Sequence, residues 1–315
     1  MSRSLVAMLI AGCGVGGVLT AGAQEAIRLS ISSTLDGVAQ PVLLFPAPSS
    51  GPTPLLVLLH RWSAHYDSFD YAGWKQAAAA RGWHLLLPEF RGPNFRPEAC
   101  ASPQARRDIL DAVDYACTHY AVDAQRIYLG GTSGGAHMAM VMAAYAPERW
   151  AGVTAWAGIS DLARWHAETQ AAGRDYWKNI EKVVGGAPGT SATADAELHY
   201  RSPIHALLAA SCLPPLDLNT GIHDGHTGSV PVHHTLDAFN ALAPKYGAAP
   251  VPREIMDSLA RELPGPEEEE QDTTYGRRIH LRRHAGPSRV TIFEGGHEDI
   301  PAAACAWLSR QRLGD

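Results

Sequence analysis

The sequence lacks several features that would each indicate a particular class of protein. Its formal net charge is −6, from 26 basic and 32 acidic residues, so it does not favour nucleic acid or an anionic membrane as the main partner. Beyond the first 25 residues, no apolar run is long enough to be a transmembrane segment. No internal repeat occurs, and no Pro-, Ser- or Gly-rich linker divides the chain. Residues 24–315 are therefore predicted to form a single globular domain, which is the catalytic domain.

Signatures of metal sites and disulfides are also scarce. The sequence contains no C-x-x-C and no H-E-x-x-H, so we predict no metal and no cofactor. If the chain is exported, one or two disulfides are expected, and four free thiols are the alternative. The cysteines concerned are Cys100, Cys117, Cys212 and Cys305. Cys100 and Cys117 flank a predicted helix and are not expected to pair with each other.

The N-terminus has the character of an export signal. Arg3 precedes an apolar stretch that ends in the small residues Ala21 and Ala23. This order is typical of a secretory signal peptide, here residues 1–23. The competing interpretation is a bacterial lipoprotein anchored at Cys13, since "IAGC" resembles a lipoprotein box. Both interpretations place the protein outside the cytoplasm, secreted or periplasmic in the first case.

Short, continuous apolar runs alternate with helical stretches along the chain. Runs of this kind are typical of strands that are buried on both faces of a parallel sheet. They lie at 54–60, 83–89, 126–131, 150–156, 213–221 and 289–296, and helices are predicted at 67–80, 102–119, 134–146, 233–242 and 301–311. An alternating N-terminal segment predicts a hairpin before them. We therefore predict an α/β fold with a mostly parallel, doubly wound sheet, whose site lies beyond the carboxyl ends of the strands.

Two regions interrupt this alternation. Residues 161–208 are rich in Trp, His and Tyr and are predicted to form an inserted cap or lid. Residues 243–288 form a second insertion. It contains the acidic run 267–270, interpreted as a solvated loop, and the basic stretch 277–284, interpreted as an exposed hairpin edge.

Ser133 lies in a G-x-S-x-G pattern between a predicted strand and a predicted helix. The pattern alone is weak in a chain with 30 glycines. A serine on a tight strand-to-helix turn, however, is presented at a helix N-terminus, whose dipole favours a developing oxyanion. The context therefore indicates a nucleophile elbow. The alternative is a glycine-rich turn that carries an uninvolved serine.

A serine nucleophile needs a base, and the base needs an acid that fixes its tautomer. In this arrangement they follow in the order Ser, Asp, His, in loops after later strands. Asp224 follows the penultimate predicted strand and His297 follows the last, so they are predicted as acid and base. Asp217 and Asp161 are weaker candidates for the acid.

An oxyanion hole is the remaining requirement, and backbone N–H groups are expected to form it. One donor should be Gly134, directly after the nucleophile. The second should come from the loop "HRWSAHYD" after the run 54–60, where Trp62 or Arg61 is the candidate.

The motifs "GGTSGG", "GGAPG", "YRSPIHAL", "TGIHDGHTGSVPVHHTLDAFNAL" and "FEGGHE" together resemble α/β-hydrolases of the prolyl oligopeptidase type, catalytic domain only. The segment "LPEFRGPN" resembles the family's Arg-Gly loop after its fourth strand. The resemblance implies an α/β-hydrolase fold with Ser133 as nucleophile, Asp224 as acid and His297 as base. The family's His-Gly-Gly after the third strand is "HRW" here, which leaves the second oxyanion donor open. No β-propeller is expected.

Further candidate residues each have two interpretations. Arg91 is predicted to bind substrate, although an arginine there can also tie loops together. Trp156 and Trp165 are predicted to stack on a sugar or aromatic acyl group, and Trp62, Tyr176 and Trp177 are weighed with them. Their alternative is a small core inside the cap. His137 is predicted to be a satisfied core histidine.

The sequence therefore predicts an exported serine hydrolase that cleaves a small-molecule or saccharide ester through an acyl-enzyme. A serine peptidase for short peptides and a non-catalytic, hydrolase-shaped binding protein are the alternatives. A metallohydrolase is a further one, because histidines surround the predicted acid; they are His223, His226, His233 and His234. The oligomeric state is not predicted.

Overall fold

The computed structural model describes residues 25–263 and 272–314. The predicted signal peptide, Cys13 and the acidic run 267–270 lie outside these ranges. No helix within the two ranges combines the length and the apolar character that crossing a bilayer requires.

A nine-stranded sheet lies at the centre of the described residues. Its strands are β1 (Ile27–Ser32), β2 (Ala39–Phe45), β3 (Thr53–Leu59), β4 (His84–Pro88), β5 (Val122–Thr132), β6 (Gly152–Trp156), β7 (Leu216–Gly221), β8 (Ile279–Ala285) and β9 (Ser288–Phe293). Their order across the sheet is β1-β2-β4-β3-β5-β6-β7-β9-β8. The six central strands, β4, β3, β5, β6, β7 and β9, pair in parallel, and the pairs β1–β2, β2–β4 and β9–β8 at the two edges are antiparallel. The predicted α/β-hydrolase sheet with an N-terminal hairpin is confirmed.

Ten α-helices connect or flank these strands within the described ranges. They are α1 (Ala72–Ala79), α2 (Pro103–His119), α3 (Gly134–Tyr145), α4 (Leu162–Ala171), α5 (Tyr176–Val184), α6 (Ala192–Arg201), α7 (Pro203–Ala209), α8 (His233–Leu242), α9 (Arg253–Leu259) and α10 (Pro301–Leu308). Two short 3-10 helices cover Pro147–Arg149 and Ala243–Tyr246.

The central strand β3 shows why its sequence has no polar alternation. Leu55, Val57 and Leu59 face one side of the sheet, where they pack in a core with α2, α3 and α8. Leu56 and Leu58 face the other side and pack with α1 and α10. Since both faces are covered, every position from 54 to 59 is apolar.

Two element boundaries differ from the prediction for identifiable reasons. The strand predicted from 213 begins at Leu216 as β7, because Pro214 and Pro215 have no N–H to donate to a neighbouring strand. The helix predicted from 67 begins only at Ala72. Just before this helix, the Asp70 carboxylate accepts the Ala72 N–H at 3.1 Å. A side-chain contact between residues two apart is typical of a turn and not of a helix.

The predicted disulfides are absent, because all four described cysteines are free thiols. Cys305 is buried in the core beside α1 and α10, Cys100 in a separate small core, and Cys117 packs on the opposite side of the sheet. Burial raises the pKa of both Cys100 and Cys305 to about 12. These two thiols therefore stay protonated and unreactive at neutral pH.

The region 161–208 contains four helices, α4 to α7, between β6 and β7. The first three of them enclose a small core that also includes Trp62 and Val230, from the loops after β3 and β7. These helices, which we call the cap for brevity, thus pack directly on loops at the carboxyl edge of the sheet. In the second insertion, 243–288, β8 forms the edge of the sheet, as the hairpin-edge interpretation of 277–284 implies.

Candidate active site

Ser133 lies between β5 and α3 in a strained backbone conformation. Its φ is 58° and its ψ is −119°, a region that residues other than glycine rarely occupy. The Ser133 N–H donates to the carbonyl of Trp156 at 2.8 Å, so β6 helps to hold the turn. Strain of this kind is typical of a nucleophile elbow, which presents the serine hydroxyl at the helix N-terminus.

Packing requires the glycines on both sides of Ser133. A Cβ on Gly131 would lie 2.4 Å from the carbonyl carbon of Gly135. A Cβ on Gly135 would lie 2.2 Å from the carbonyl oxygen of Leu59. No side chain fits at either position, so strand and helix approach each other directly across the turn. This close approach is the physical reason for the G-x-S-x-G spacing.

Asp224 and His297 lie in the loops after β7 and β9 and contact each other. The Nδ1 of His297 is 2.8 Å from Oδ2 of Asp224. The other carboxylate oxygen accepts the N–H groups of Gly225 at 2.9 Å and Val230 at 3.1 Å. Because the buried carboxylate only accepts, Nδ1 carries the proton and Nε2 keeps a lone pair that can accept one.

Asp299 joins three loops at the same edge of the sheet. Its carboxylate accepts the Thr132 hydroxyl at 2.5 Å and the Arg61 guanidinium at 3.3 Å. Thr132 immediately precedes the elbow serine, Arg61 lies in the loop after β3, and Asp299 is two residues beyond His297. Burial raises the pKa of Asp299 above its usual range, although Thr132 and Arg61 oppose the shift. Sequence reasoning missed this residue, whose only signal was an acidic side chain close to the predicted base.

The two predicted oxyanion donors lie side by side. A Cβ on Gly134 would be 2.4 Å from the backbone nitrogen of Trp62. The Trp62 ring is buried and packs edge-on against Trp165, with 4.8 Å between ring centroids. Its carbonyl accepts the N–H of Asn94 at 2.9 Å. These contacts hold the Trp62 backbone in place, and fixed donors are what an oxyanion hole needs.

His60 stabilises the same loop after β3 through its buried side chain. Its ring is buried, stacks on Phe90 with 3.9 Å between centroids, and donates through Nδ1 to the Arg61 carbonyl at 3.0 Å. Burial lowers the pKa of His60 to about 4, so the ring is neutral at neutral pH. It is a structural support beside the site.

Arg91 was predicted to bind substrate, and the structure contradicts this. Its side chain is 8% exposed and saturated by two carboxylates. Nε is 2.5 Å from Asp108 on α2, and Nη1 and Nη2 are each 2.9 Å from Asp36 in the β1–β2 turn. Arg91 therefore ties the N-terminal hairpin to α2, which is the alternative interpretation.

Trp156 and Trp165 were also predicted to bind substrate, and both are fully buried. Trp156 packs with Tyr275 and Phe293 in the core beside α1 and α10. Trp165 stacks on Tyr176 inside the cap, and its indole N–H donates to the Ser229 carbonyl at 2.8 Å. Neither ring can reach a ligand in this conformation, because each belongs to a core.

The weaker candidates for the acid have structural contacts instead. Asp217 is buried and accepts Arg289 at 2.6 Å. Asp161 is the N-cap of α4 and accepts the Arg164 N–H at 3.1 Å. His137 is buried, and its Nε2 donates to a carbonyl at 2.8 Å. Burial lowers the pKa of His137 to about 4, as expected for a core histidine.

The histidines near Asp224 do not form one cluster. His223 contacts the carboxylates of Glu262 and Glu294, each at 2.8 Å, and His226 donates to a backbone carbonyl. His233 and His234 instead face the cap. The arrangement that a metallohydrolase would need around Asp224 is therefore not formed by these residues.

The sequence matches the profile of the prolyl oligopeptidase family over residues 77–255. It is also similar to the poly(3-hydroxyalkanoate) depolymerase C of Paucimonas lemoignei, with 28% identity over 114 residues. That match covers 33% of this chain and 28% of the depolymerase.

The fold is similar to those of several solved hydrolases. The acylaminoacyl peptidase of Pyrococcus horikoshii superposes with a TM-score of 0.65 and 15% identity, over 92% of this chain and 42% of that one. The S-formylglutathione hydrolase of Staphylococcus aureus superposes with a TM-score of 0.58 and 14% identity, over 90% of this chain and 98% of that one. This chain thus spans under half of the peptidase and nearly the whole hydrolase. At these identities the likeness concerns the fold.

Proposed function

The chain belongs to the prolyl oligopeptidase family and is a serine hydrolase, and from this premise we propose that it cleaves carboxylic esters. The observation that carries the proposal is the strained turn at Ser133, which lies at the same sheet edge as the His297–Asp224 pair. A presented hydroxyl, an imidazole and a buried carboxylate that orients the imidazole are together suited to acyl transfer.

In the proposed reaction, Nε2 of His297 takes the Ser133 proton as Oγ attacks the ester carbonyl. The N–H groups of Gly134 and Trp62 donate to the oxyanion that forms. His297 then returns the proton to the departing alcohol, which leaves an acyl-enzyme on Ser133. A water molecule, deprotonated by the same imidazole, releases the acid and restores the serine. Asp224 stabilises the imidazolium in both halves of the reaction.

Two similarities support an ester over an amide. The S. aureus hydrolase, of which 98% is covered by the superposition, is named for a thioester, S-formylglutathione. The sequence relative is named for a polyester, poly(3-hydroxyalkanoate). We propose a small-molecule or saccharide ester as the substrate. Trp156 and Trp165, the rings that were predicted to stack on a sugar, give the saccharide class no support because both are buried.

A serine peptidase is the second candidate function. The family match and the superposition on acylaminoacyl peptidase favour it. The same residues would act in the same roles, and an amine in place of an alcohol would leave. The two candidates differ only in the bond that is cleaved.

A matched pair of substrates separates these two functions. N-acetylalanine p-nitrophenyl ester and N-acetylalanine p-nitroanilide share an acyl group and differ in the leaving atom. We expect turnover of the ester, abolished in Ser133→Ala, with the anilide left intact. Serine-dependent cleavage of the anilide at a comparable kcat/KM would move the protein to the peptidase function. A folded wild-type protein that neither turns over these substrates nor reacts with a fluorophosphonate probe would instead be a hydrolase-shaped binding protein.

We also propose that the protein is exported. The support is the order of Arg3, an apolar stretch and the Ala21-x-Ala23 site in the sequence. N-terminal sequencing of protein recovered outside the cytoplasm should begin at Gln24. Lipidated protein beginning at Cys13 would establish the lipoprotein alternative, and full-length protein confined to the cytoplasm would contradict both.

A further inference from the structure

A cluster of potential metal ligands lies where the cap packs against α8. Glu168 is on α4 of the cap, and His233 and His234 are the first two residues of α8. One carboxylate oxygen of Glu168 is 2.7 Å from Nε2 of His233, and the other is 3.0 Å from Nε2 of His234. One ligand atom from each residue lies within 4.8 Å of the others.

The donor atoms suit Zn²⁺. Two imidazole nitrogens and one carboxylate oxygen form a ligand set that zinc uses, at about 2.0–2.2 Å from the metal. Tetrahedral geometry at these bond lengths separates ligand atoms by about 3.3 Å. The present N···O distances, 2.7 and 3.0 Å, are to the two different oxygens of the Glu168 carboxylate. One ligand atom from each residue lies within 4.8 Å of the others, so side-chain adjustments of about 1 Å would bring one oxygen and both nitrogens to the tetrahedral separation. Hard cations such as Ca²⁺ prefer an all-oxygen shell and are disfavoured here.

His234 is oriented from behind by Ser160. The ring is fully buried, and its Nδ1 lies 3.2 Å from the Ser160 hydroxyl. When Nδ1–H donates to that hydroxyl, the Nε2 lone pair faces Glu168, as in histidines that are held for metal binding. In this structure the Ser160 N–H donates to the same nitrogen at 3.3 Å, so Nδ1 accepts while Nε2 carries the proton and donates to Glu168. Zinc binding therefore requires the ring to change to the other tautomer.

The surroundings of His233 favour a cation and provide access to it. When both imidazoles are neutral, as metal ligands must be, the carboxylates of Glu168 and Asp237 face one guanidinium, Arg164, which leaves one negative charge uncompensated. The Nδ1 of His233 is 3.6 Å from Asp237 and has no hydrogen-bond partner among the described residues. An adjoining cavity of about 530 Å³, lined in part by His233, Asp237 and Arg164, has room for water as a fourth ligand and for an entering ion.

We propose that Glu168, His233 and His234 bind one Zn²⁺ ion, which fastens the cap to the sheet domain. The sequence alone predicted no metal, because no motif joins Glu168 to a histidine pair 65 residues away. The ion acts structurally and takes no part in the ester reaction. It also supports the acid loop, since α8 begins three residues after Val230, whose N–H donates to Asp224.

Calorimetric titration of Zn²⁺ tests this proposal on the full mature chain, with any affinity tag removed and metal stripped by a chelator. We expect one ion per chain, a higher Tm with Zn²⁺, and no competition from Ca²⁺. Co²⁺ in place of Zn²⁺ should give the visible absorption of a tetrahedral complex. Glu168→Gln keeps the shape of the side chain and should weaken Zn²⁺ binding at least 10-fold.

The matched control is His205→Asn. His205 and His199 form another histidine pair, with 3.8 Å between ring centroids, and could bind zinc non-specifically. This variant should bind Zn²⁺ as the wild type does, and thermal unfolding without zinc establishes that each variant is folded. Absence of saturable binding to the wild type would overturn the proposal. So would equal affinity in Glu168→Gln, or a loss of binding confined to His205→Asn.

Discussion

Asp299 is a buried carboxylate in the loop of His297, and it contacts the loop of Ser133 through Thr132. Burial makes its ionisation unfavourable. Its raised pKa means that the folded protein holds the Asp299 proton more tightly than the unfolded chain does. The free energy of unfolding therefore falls as the pH rises from the pKa of Asp299 in the unfolded chain to its higher pKa in the folded protein. At pH values above the folded-state pKa the loss is complete. A buried residue that lowers the stability of the fold when it is ionised is typical of a functional position.

Asp299→Asn should separate activity from stability. Asparagine can still accept the Thr132 hydroxyl but loses the charge that faces Arg61. We expect kcat for an ester to fall about 10- to 100-fold, because small misplacements of catalytic loops are expensive, with KM little changed. The Tm at pH 8 should be equal to or above that of the wild type. Steady-state kinetics and thermal unfolding measure both, with Asp175→Asn, at a side chain 78% exposed, as control. A fall in Tm with unchanged kcat would contradict a positioning role.

Gly131 tests whether the elbow tolerates any side chain. A Cβ there would overlap the backbone of Gly135, so Gly131→Ala should lower the free energy of unfolding by about 3 kcal/mol. Gly51 is the matched control, because the nearest atom to its Cβ is 4.0 Å away, and Gly51→Ala should change it by less than about 0.5 kcal/mol. Urea denaturation measures both. Equal stabilities would show that strand and helix can separate at the turn.

At the scale of elements, Arg91 fastens the β1–β2 hairpin to α2. Arg91→Met would leave the Asp108 carboxylate, which is fully buried, without its partner. We expect a loss of about 3–5 kcal/mol in the free energy of unfolding, with KM for the ester unchanged. Arg253→Met, at an arginine 91% exposed, is the control and should have little effect. A raised KM without loss of stability would restore the substrate-binding interpretation.

His223 connects the acid loop to the β8–β9 hairpin. Hydrogen bonds to Glu294 and Glu262 raise the pKa of His223 above its ordinary value. The contact makes its full contribution to stability at pH values below the pKa of His223 in the unfolded chain. That contribution is lost as the pH rises through the higher pKa of His223 in the folded protein. Since these side chains are partly exposed, the effect on stability is small.

Glu294→Gln should lower the pKa of His223, because the carboxylate that favours the imidazolium is removed. Titration of the histidine ring signals by NMR measures the shift directly. Glu148→Gln, in the 3-10 helix Pro147–Arg149, should leave it unchanged. A His223 pKa that is the same in Glu294→Gln and the wild type would show that the surface pair is broken in solution.

For the molecule as a whole, the elements of the sheet were predictable because each rests on a local pattern. Apolar runs such as 54–60 mark strands that are buried on both faces, and they correspond to β3 and its neighbours. The placement of Ser133, Asp224 and His297 at one edge followed from parallel topology. The elbow could be predicted because its glycines and its strand-to-helix context are adjacent in sequence.

Features that depend on contacts distant in sequence could not be predicted. A buried tryptophan and a ligand-stacking tryptophan have the same sequence signal, so Trp156 and Trp165 were assigned to a cleft when they belong to cores. Arg91 was ambiguous until Asp36 and Asp108 were seen on either side of it. In each case the deciding contact is made across the fold.

The central claim is that Ser133 forms an acyl-enzyme, and trapping that species tests it most directly. The protein is mixed with p-nitrophenyl acetate, quenched in acid within the first turnover, and analysed as intact protein and as peptides by mass spectrometry. We predict one added acetyl group, located on Ser133, absent in Ser133→Ala and formed much more slowly in His297→Gln than in the wild type, because His297 is the base for the attack of Ser133. An active wild-type protein whose acetyl group lies elsewhere, or whose Ser133→Ala variant still hydrolyses the ester at the wild-type rate, would contradict the account.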